Sequence, residues 1–164
     1  MKITINPYDS KSIDEAIKKL QEYKNWVAAK EVELVNRLAS IGATSASLGF
    51  SRAIYNGEKD VQIHVETDGS TATIFANGKS VGFIEFGSGA RYGDGHPWNG
   101  EKGTGPGTWS MGEEGKGHWD DPKGWWYGSG QHSYGNPPAM AMYNAFNTMA
   151  EQIATIAREV FSSD

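Results

Sequence analysis

The chain has 164 residues and no cysteine. Disulfide bonds, thiolate metal sites and cysteine nucleophiles are therefore excluded. Positive charge is also scarce, with 15 Lys and Arg against 20 Asp and Glu, and the net charge is -5. Strong contact with nucleic acid phosphates needs clustered basic residues. No sequence-specific binding of nucleic acid is expected.

Long apolar runs are missing as well. No stretch approaches the roughly 20 apolar residues of a membrane span. The N-terminus, MKITINPYDSKS, lacks the apolar core of a signal peptide. The length suits one ordinary domain. These features predict a single soluble domain over residues 1–164, made in the cytoplasm and without membrane contact.

The first part of the chain, residues 12–41, has the periodicity of one long helix. Ser12 and Glu15 have the spacing of a capping box, and Gly42 stands where a helix commonly stops. Apolar residues recur between them at steps of three, four or seven positions, which lie on one face of a helix: Ile13, Ile17, Leu20, Val27, Leu34, Leu38 and Ile41. Such a helix is long for so small a domain, and part of it is expected to pack on another subunit.

Residues 47–86 are predicted to form a four-stranded antiparallel β-meander. Apolar and polar residues alternate around Ile63, which indicates one dry face and one wet face. The predicted strands are 47–55, 60–67, 71–76 and 80–86. Turn dipeptides separate them: Asn56-Gly57, Asp68-Gly69 and Asn77-Gly78.

Glycine and tryptophan are concentrated in residues 87–136, which are predicted to form a long loop. This stretch holds 15 of the 21 glycines and five of the six tryptophans. Regular structure is expected to return at Pro137 and Pro138, because proline fits the first turn of a helix. A C-terminal helix is predicted over 137–161. The order of elements predicts an α+β fold in which helices cover an antiparallel sheet.

So long a glycine-rich loop is not expected to be stable by itself. The conformational entropy lost on ordering its backbone exceeds what its aromatic side chains return on burial. The loop should become ordered only against the sheet or against another protein. Its candidate contact residues are Trp98, Trp109, Trp119, Trp125, Trp126 and Tyr127.

Catalytic and metal sites are not predicted. The loop histidines match no metal-ligand spacing and are interpreted as solvated polar residues: His96, His118 and His132. A glycosidase needs two acids at a rigid separation, whereas the loop acids are adjacent pairs among glycines: Glu113, Glu114, Asp120 and Asp121. No enzyme activity, cofactor or metal is expected.

Two short motifs flank the loop. Residues 81–89 read VGFIEFGSG, and residues 135–140 read GNPPAM. With them the chain resembles the small tail-component proteins of long-tailed bacteriophages and prophages, described as neck or tail-completion proteins. In that family a strand ending in E-(F/Y)-G-(T/S)-G precedes a loop of variable length, and a proline-bearing segment leads into the terminal helix.

The resemblance implies a structural role in the virion. The chain would be one subunit of a homo-oligomeric ring at the head–tail junction, assembled in the host cytoplasm. It would contact head-closure or connector proteins and tail-tube or tail-terminator proteins. The flanking motifs contribute Glu85, Phe86, Pro137 and Pro138 to the candidate residues that hold the loop or a neighbouring subunit. By alternation Glu85 falls on an apolar face. Two accounts of it are open: an exposed strand end, or a carboxylate that accepts hydrogen bonds from loop amides and anchors the loop, and the second is preferred.

A carbohydrate-binding module is the alternative function. The loop tryptophans would then be platforms on which sugar rings stack. Such platforms usually sit on well-ordered strands, whereas these sit among glycines. The two functions predict different behaviour, because a virion subunit forms multimers and a carbohydrate-binding module binds glycans as a monomer.

Overall fold

A computed structural model describes residues 3–89, 92, 95–97, 124–126 and 132–162. Two long helices dominate it, with a β-hairpin and a short helix between them along the chain. The elements in chain order are α1 (Ser10–Arg52), β1 (Gln62–Thr67), β2 (Ala72–Asn77), α2 (Val81–Phe86), β3 (Trp125–Trp126), β4 (His132–Ser133) and α3 (Ala141–Ser162).

Helix α1 begins before the predicted capping box. Its N-cap is Asp9, whose carboxylate accepts a hydrogen bond from the Lys11 amide at 3.1 Å. The Ser12 hydroxyl accepts a hydrogen bond from the Asn6 amide at 2.9 Å instead of capping the helix. The capping box predicted for Ser12 and Glu15 is therefore wrong, because an aspartate three residues earlier takes its place.

The glycine predicted to end α1 lies inside the helix, which continues to Arg52. A Cβ atom on Gly42 would stand 2.4 Å from the sulfur of Met149 and 2.6 Å from Cδ1 of Ile74. A Cβ atom on Gly49 would stand 2.7 Å from the Cβ of Ala141. At both positions a side chain would collide with another element, so the role of these glycines is packing and not termination.

The predicted four-stranded meander is wrong. Two of its strands are present, 60–67 as β1 and 71–76 as β2. The residues predicted as strand 47–55 continue α1 to Arg52, and those predicted as strand 80–86 form α2. Within the described part of the chain, β1 and β2 form a two-stranded antiparallel sheet in which Gln62 lies opposite Asn77.

The hairpin turn was predicted at the right place. Asp68 and Gly69 follow β1, and Gly69 has φ of +98°, a conformation that favours glycine. The Asp68 carboxylate accepts hydrogen bonds from the amides of Thr71 at 2.8 Å and Ser70 at 3.1 Å. These hydrogen bonds lower the pKa of Asp68, and the one from the Thr71 amide has the largest effect.

Residues 81–86 form a helix because their buried and half-buried side chains have helical spacing. Val81, Ile84 and Glu85 stand at positions i, i+3 and i+4, which share one face of a helix. Ile84 is fully buried and Glu85 is 3% exposed, although they are neighbours in sequence. In a strand, adjacent residues would point to opposite faces. The alternation over these six residues was too short to distinguish the two structures.

Asp60 fixes the turn that precedes α2. Its carboxylate accepts hydrogen bonds from the amides of Lys79 at 2.7 Å and Ser80 at 2.9 Å, and from the hydroxyl of Ser80. These hydrogen bonds lower the pKa of Asp60 from 3.8 to about 2. The Ser80 hydroxyl has the largest effect, and the amides of Lys79 and Ser80 follow.

Helix α3 runs antiparallel to α1. Trp26 near the first third of α1 contacts Phe161 at the end of α3, with ring centroids 5.9 Å apart. Further along α1, Gly49 meets Ala141 at the start of α3. The start of one helix therefore lies beside the end of the other. α3 starts at Ala141, so the prediction that Pro137 and Pro138 lie in its first turn is wrong.

The core lies where the end of α1, α2 and the start of α3 meet. Phe50, Ile84 and Ala141 are its buried centre. Farther along α3, Phe146 and Ile153 are 54% and 48% exposed. None of the described helices combines the length and the apolar character needed to cross a membrane.

Candidate functional site, a buried polar junction

The two motifs that flank the glycine-rich stretch meet in space. Ser88 and Asn136, 48 positions apart, form an isolated antiparallel bridge. The amide of Ser88 donates to the Asn136 carbonyl at 3.0 Å, and the amide of Asn136 donates to the Ser88 carbonyl at 3.2 Å. We refer to residues 85–89, His96 and residues 135–143 together as the junction.

The side chain of Asn136 ties the bridge to α2. Its Nδ2 donates to the carbonyl of Phe83 at 2.8 Å, and its Oδ1 accepts a hydrogen bond from the Ser88 hydroxyl. Ser88 and Asn136 are 8% and 7% exposed. Burial of these polar groups is tolerated because they are hydrogen-bonded to one another and to the backbone.

Two glycines allow the backbones to come this close. Gly87 has φ of +76° and Gly135 has φ of +92°. A Cβ atom on Gly135 would stand 1.8 Å from the Ser88 carbonyl oxygen, and one on Gly87 would stand 2.8 Å from the Asn136 carbonyl oxygen. At both positions the backbone conformation and the available space require glycine.

The carboxylate of Glu85 caps α3. Oε2 accepts a hydrogen bond from the Met142 amide at 2.9 Å, and Oε1 accepts one from the Tyr143 amide at 3.0 Å. Amides in the first turn of a helix have no acceptor within the helix. The positive end of the helix dipole also favours a negative charge at this position. Glu85 therefore does for α3 what an N-cap side chain normally does.

Backbone groups of α2 join the same contact. The Ile84 carbonyl accepts from the Ala139 amide at 2.8 Å, and the Glu85 carbonyl accepts from the Met140 amide at 3.2 Å. These are carbonyls from the end of one helix and amides that precede the next, both of which need outside partners. Met140 has φ of +52°, a region that non-glycine residues seldom occupy. The turn into α3 is thus shaped by its contact with α2.

His96 brings the glycine-rich stretch into the junction. Its side chain is fully buried, and Nε2 lies 3.1 Å from Oε1 of Glu85. The ring is 4.6 Å from that of Phe86 and 5.7 Å from that of Tyr143, between centroids. The same Oε1 atom also accepts the hydrogen bond from the Tyr143 amide. The interpretation of His96 as a solvated loop residue is wrong.

The candidate residues from the flanking motifs lie together in the junction. Phe86 packs on the His96 ring, and Pro138 lies against Gly87. Pro137 precedes it and is half-buried. The amides that donate hydrogen bonds to Glu85 lie at the start of α3 and not, as predicted, in the loop. The loop contributes the side chain of His96 instead.

The aromatic candidates in the loop are described only in part. Trp98, Trp109, Trp119 and Tyr127 lie outside the described residues. The backbone of residues 125–126 forms β3, which pairs with β4 so that Trp125 lies opposite Ser133 and Trp126 opposite His132. Their side chains also lie outside what is described. The predicted loop 87–136 therefore contains two short strands.

Sequence reasoning missed the roles of three residues. Asp60 was the first residue of a predicted strand, and His96 stood among glycines. Asn136 was seen only as part of a motif. One signal was available for His96: a carboxylate placed on an apolar face needs donors, and this histidine is eleven positions from Glu85.

The chemistry of the junction is that of a structural clamp. Both oxygens of Glu85 accept hydrogen bonds from α3, and the Glu85–His96 pair is buried. Among the described residues, no three or more His, Asp or Glu side chains are grouped as a metal site would require. Comparison of the chain with protein-family models, curated proteins and solved structures gives no match.

Proposed function

We propose that the protein is a structural subunit of a bacteriophage or prophage virion. In this proposal it is a neck or tail-completion protein that forms a homo-oligomeric ring at the head–tail junction. The observation that carries the assembly part is the exposure of apolar side chains on both long helices. The virion part comes from the resemblance of the two flanking motifs to those of tail-component proteins.

The exposed apolar side chains are arranged in rows. On α1, Ile17 and Leu20 are 59% and 54% exposed, and on α3, Phe146 and Ile153 are 54% and 48% exposed. Single exposed apolar residues are common and need no explanation. Residues three or seven positions apart on one helix, however, lie on the same face. Rows of this kind are typical of surfaces that other proteins cover.

The junction supports the same role from the other end of the molecule. Ser88 and Asn136 hold the two ends of the glycine-rich stretch together through both backbones and both side chains. A stretch held at its base can differ in length and sequence while the body of the subunit stays unchanged. This suits a ring subunit that reaches its neighbours through that stretch.

Charge agrees with a position around a DNA channel. The chain carries a net charge of -5. A negative surface repels phosphates, so DNA passes without being retained.

The test is deletion of the gene in the genome that encodes the chain, followed by electron microscopy of the particles produced. We expect filled heads separated from tails, and normal joined particles when the gene is supplied in trans. Joined, infectious particles without the gene would contradict the proposal. A monomer that binds glycans on an array, and is missing from purified particles, would favour the carbohydrate-binding alternative.

A further inference from the structure

The connection between α1 and β1 contains an asparagine followed by a glycine. Residues 53–61 form this connection, and Asn56 and Gly57 lie at a bend in it, where both are exposed. Because glycine has no Cβ atom, the main-chain nitrogen of Gly57 is open to the side chain of the asparagine before it. These two groups can react with each other without an enzyme.

The reaction is the loss of ammonia from the asparagine side chain. The main-chain nitrogen of Gly57 forms a bond to the side-chain carbonyl carbon of Asn56. The side-chain nitrogen leaves as ammonia and takes the hydrogen of the Gly57 amide with it. Water then opens the resulting ring at one of its carbonyl carbons. The product is either aspartate or isoaspartate, and no oxidant or reductant takes part.

Few contacts hold Asn56 and Gly57 in place. In the part of the chain that the structure describes, neither the Asn56 side chain nor the Gly57 amide has a hydrogen-bond partner. The chain is fixed on either side of them, since Tyr55 packs against the core and Nζ of Lys59 donates to the Ser51 carbonyl at 3.0 Å. Exposed segments with few contacts open locally at little cost in free energy. The folded chain can therefore reach the geometry in which the ring closes.

A second Asn-Gly pair follows the hairpin and is held on both sides. Asn77 ends β2 and lies opposite Gln62 of β1. A Cβ atom on Gly78 would stand 2.7 Å from the Asp60 carbonyl oxygen. The amides of the next two residues donate to the Asp60 carboxylate at 2.7 Å and 2.9 Å. The same dipeptide is thus fixed at residue 77 and not at residue 56.

The other described asparagines are poor sites for this reaction. Some precede proline, whose nitrogen carries no hydrogen that could leave with the ammonia. The others lie inside α1 or α3, where the next main-chain N–H donates to a carbonyl of the helix. The first group is Asn6 and Asn136, and the second is Asn25, Asn36, Asn144 and Asn147. Asn99-Gly100 lies outside the described residues.

We propose that Asn56 is a site of spontaneous deamidation in the folded chain, and that the fold protects Asn77 from the same reaction. Each event replaces a neutral amide by a carboxylate, two residues from Glu58, in a chain whose net charge is already -5. The isoaspartate product also places the Cβ carbon of residue 56 in the main chain. Chains therefore become more acidic and less uniform with age. The reaction needs only water and is independent of the proposed function.

Peptide mapping of aged protein tests the site. Trypsin cleaves after lysine and arginine, so it releases the three Asn-Gly pairs on separate peptides, residues 53–59, 60–79 and 92–102, each with a single asparagine. The folded chain is incubated at physiological temperature and neutral pH in heavy-oxygen water and is then digested in ordinary water. The oxygen label marks the asparagines that reacted before digestion, and mass spectrometry gives the rate for each peptide.

We expect Asn56 to react about tenfold faster than Asn77 in the folded chain, because the end of the hairpin must open before Asn77 can react. The same measurement in urea is the matched control. There neither dipeptide is held, and the two rates should become similar. Equal rates in the folded chain would overturn the proposal, as would no reaction at Asn56. A difference of the same size in urea would overturn it too, since the fold would then not protect Asn77.

Discussion

The junction and the first turns of α1 are opposite kinds of region in one small protein. In the junction, a buried carboxylate, a buried histidine and a buried asparagine are hydrogen-bonded to each other or to the backbone. In the first turns of α1, the apolar side chains of Ile13, Ile17 and Leu20 are exposed. Hydrogen bonds within the chain hold the junction together, whereas these apolar side chains face solvent in the isolated chain. The proposed role as a subunit needs both kinds of region, one to keep its shape and one to join its neighbours.

The largest effect should come from breaking the junction at Glu85. Glu85→Gln keeps the shape of the side chain, but the amide nitrogen cannot accept the hydrogen bond that one carboxylate oxygen accepts. At least one buried donor would then face that nitrogen, where it finds no acceptor. A buried group left without a partner costs about 1–3 kcal/mol, and more where the lost partner was charged, so we expect the free energy of unfolding to fall by about 3 kcal/mol in urea denaturation.

Glu66→Gln is the control for that experiment. Glu66 lies on β1 beside His64, and both side chains are well exposed. Exposed pairs contribute little, so the free energy of unfolding should change by less than about 0.5 kcal/mol. Equal stabilities for the two variants would show that burial does not distinguish the two glutamate–histidine pairs.

A smaller loss is expected at Asn136. Asn136→Ala removes the acceptor of the buried Ser88 hydroxyl and the donor to the part-buried Phe83 carbonyl. A buried group without a partner costs about 1–3 kcal/mol, and Ser88 is the one such group here. Thermal unfolding should show the loss, and Asn144→Ala, at an exposed position in α3, should not. An unchanged melting temperature for Asn136→Ala would mean that the bridge is held by its backbones alone.

The smallest effect concerns Asp60 and depends on pH. Its pKa is about 2 in the folded chain and about 3.9 in an unfolded chain. A lowered pKa means that the ionised form stabilises the fold, so this contribution is complete above about pH 4 and disappears as the pH falls toward 2. The melting temperature of Asp60→Asn should lie below that of the unaltered chain at pH 6 and approach it at pH 2. A difference that is independent of pH would contradict this.

The parts of the fold that could be predicted are those set by the sequence of a single segment. The long helix, the hairpin and the terminal helix follow from apolar periodicity, which depends on each segment alone. The end of α1 could not be predicted, because Gly42 stops a helix in isolation and serves as a contact point only when α3 lies beside it. The local sequence pattern therefore predicted which helices and strands form, but not the residues at which they end.

The junction was only partly accessible from sequence, for a related reason. A charge at Glu85 on an apolar face indicated a buried acceptor, but its donors lie 57 and 58 positions away at the start of α3. The helix over 81–86 depends on Asp60, about twenty positions earlier. Contacts between residues distant in sequence therefore determine the donors to Glu85 and the helix over 81–86. The spacing of neighbouring residues carries no information about such contacts.

Amide hydrogen exchange at the start of α3 tests the central claim most directly. First-turn amides usually exchange quickly, because they have no acceptor inside their helix. If Glu85 caps α3 from α2, the amides of Met142 and Tyr143 should exchange as slowly as amides in the middle of α3, and those of Ser88 and Asn136 should be protected with them. Fast exchange at Met142 and Tyr143, at the rate of a frayed helix end, would contradict the account.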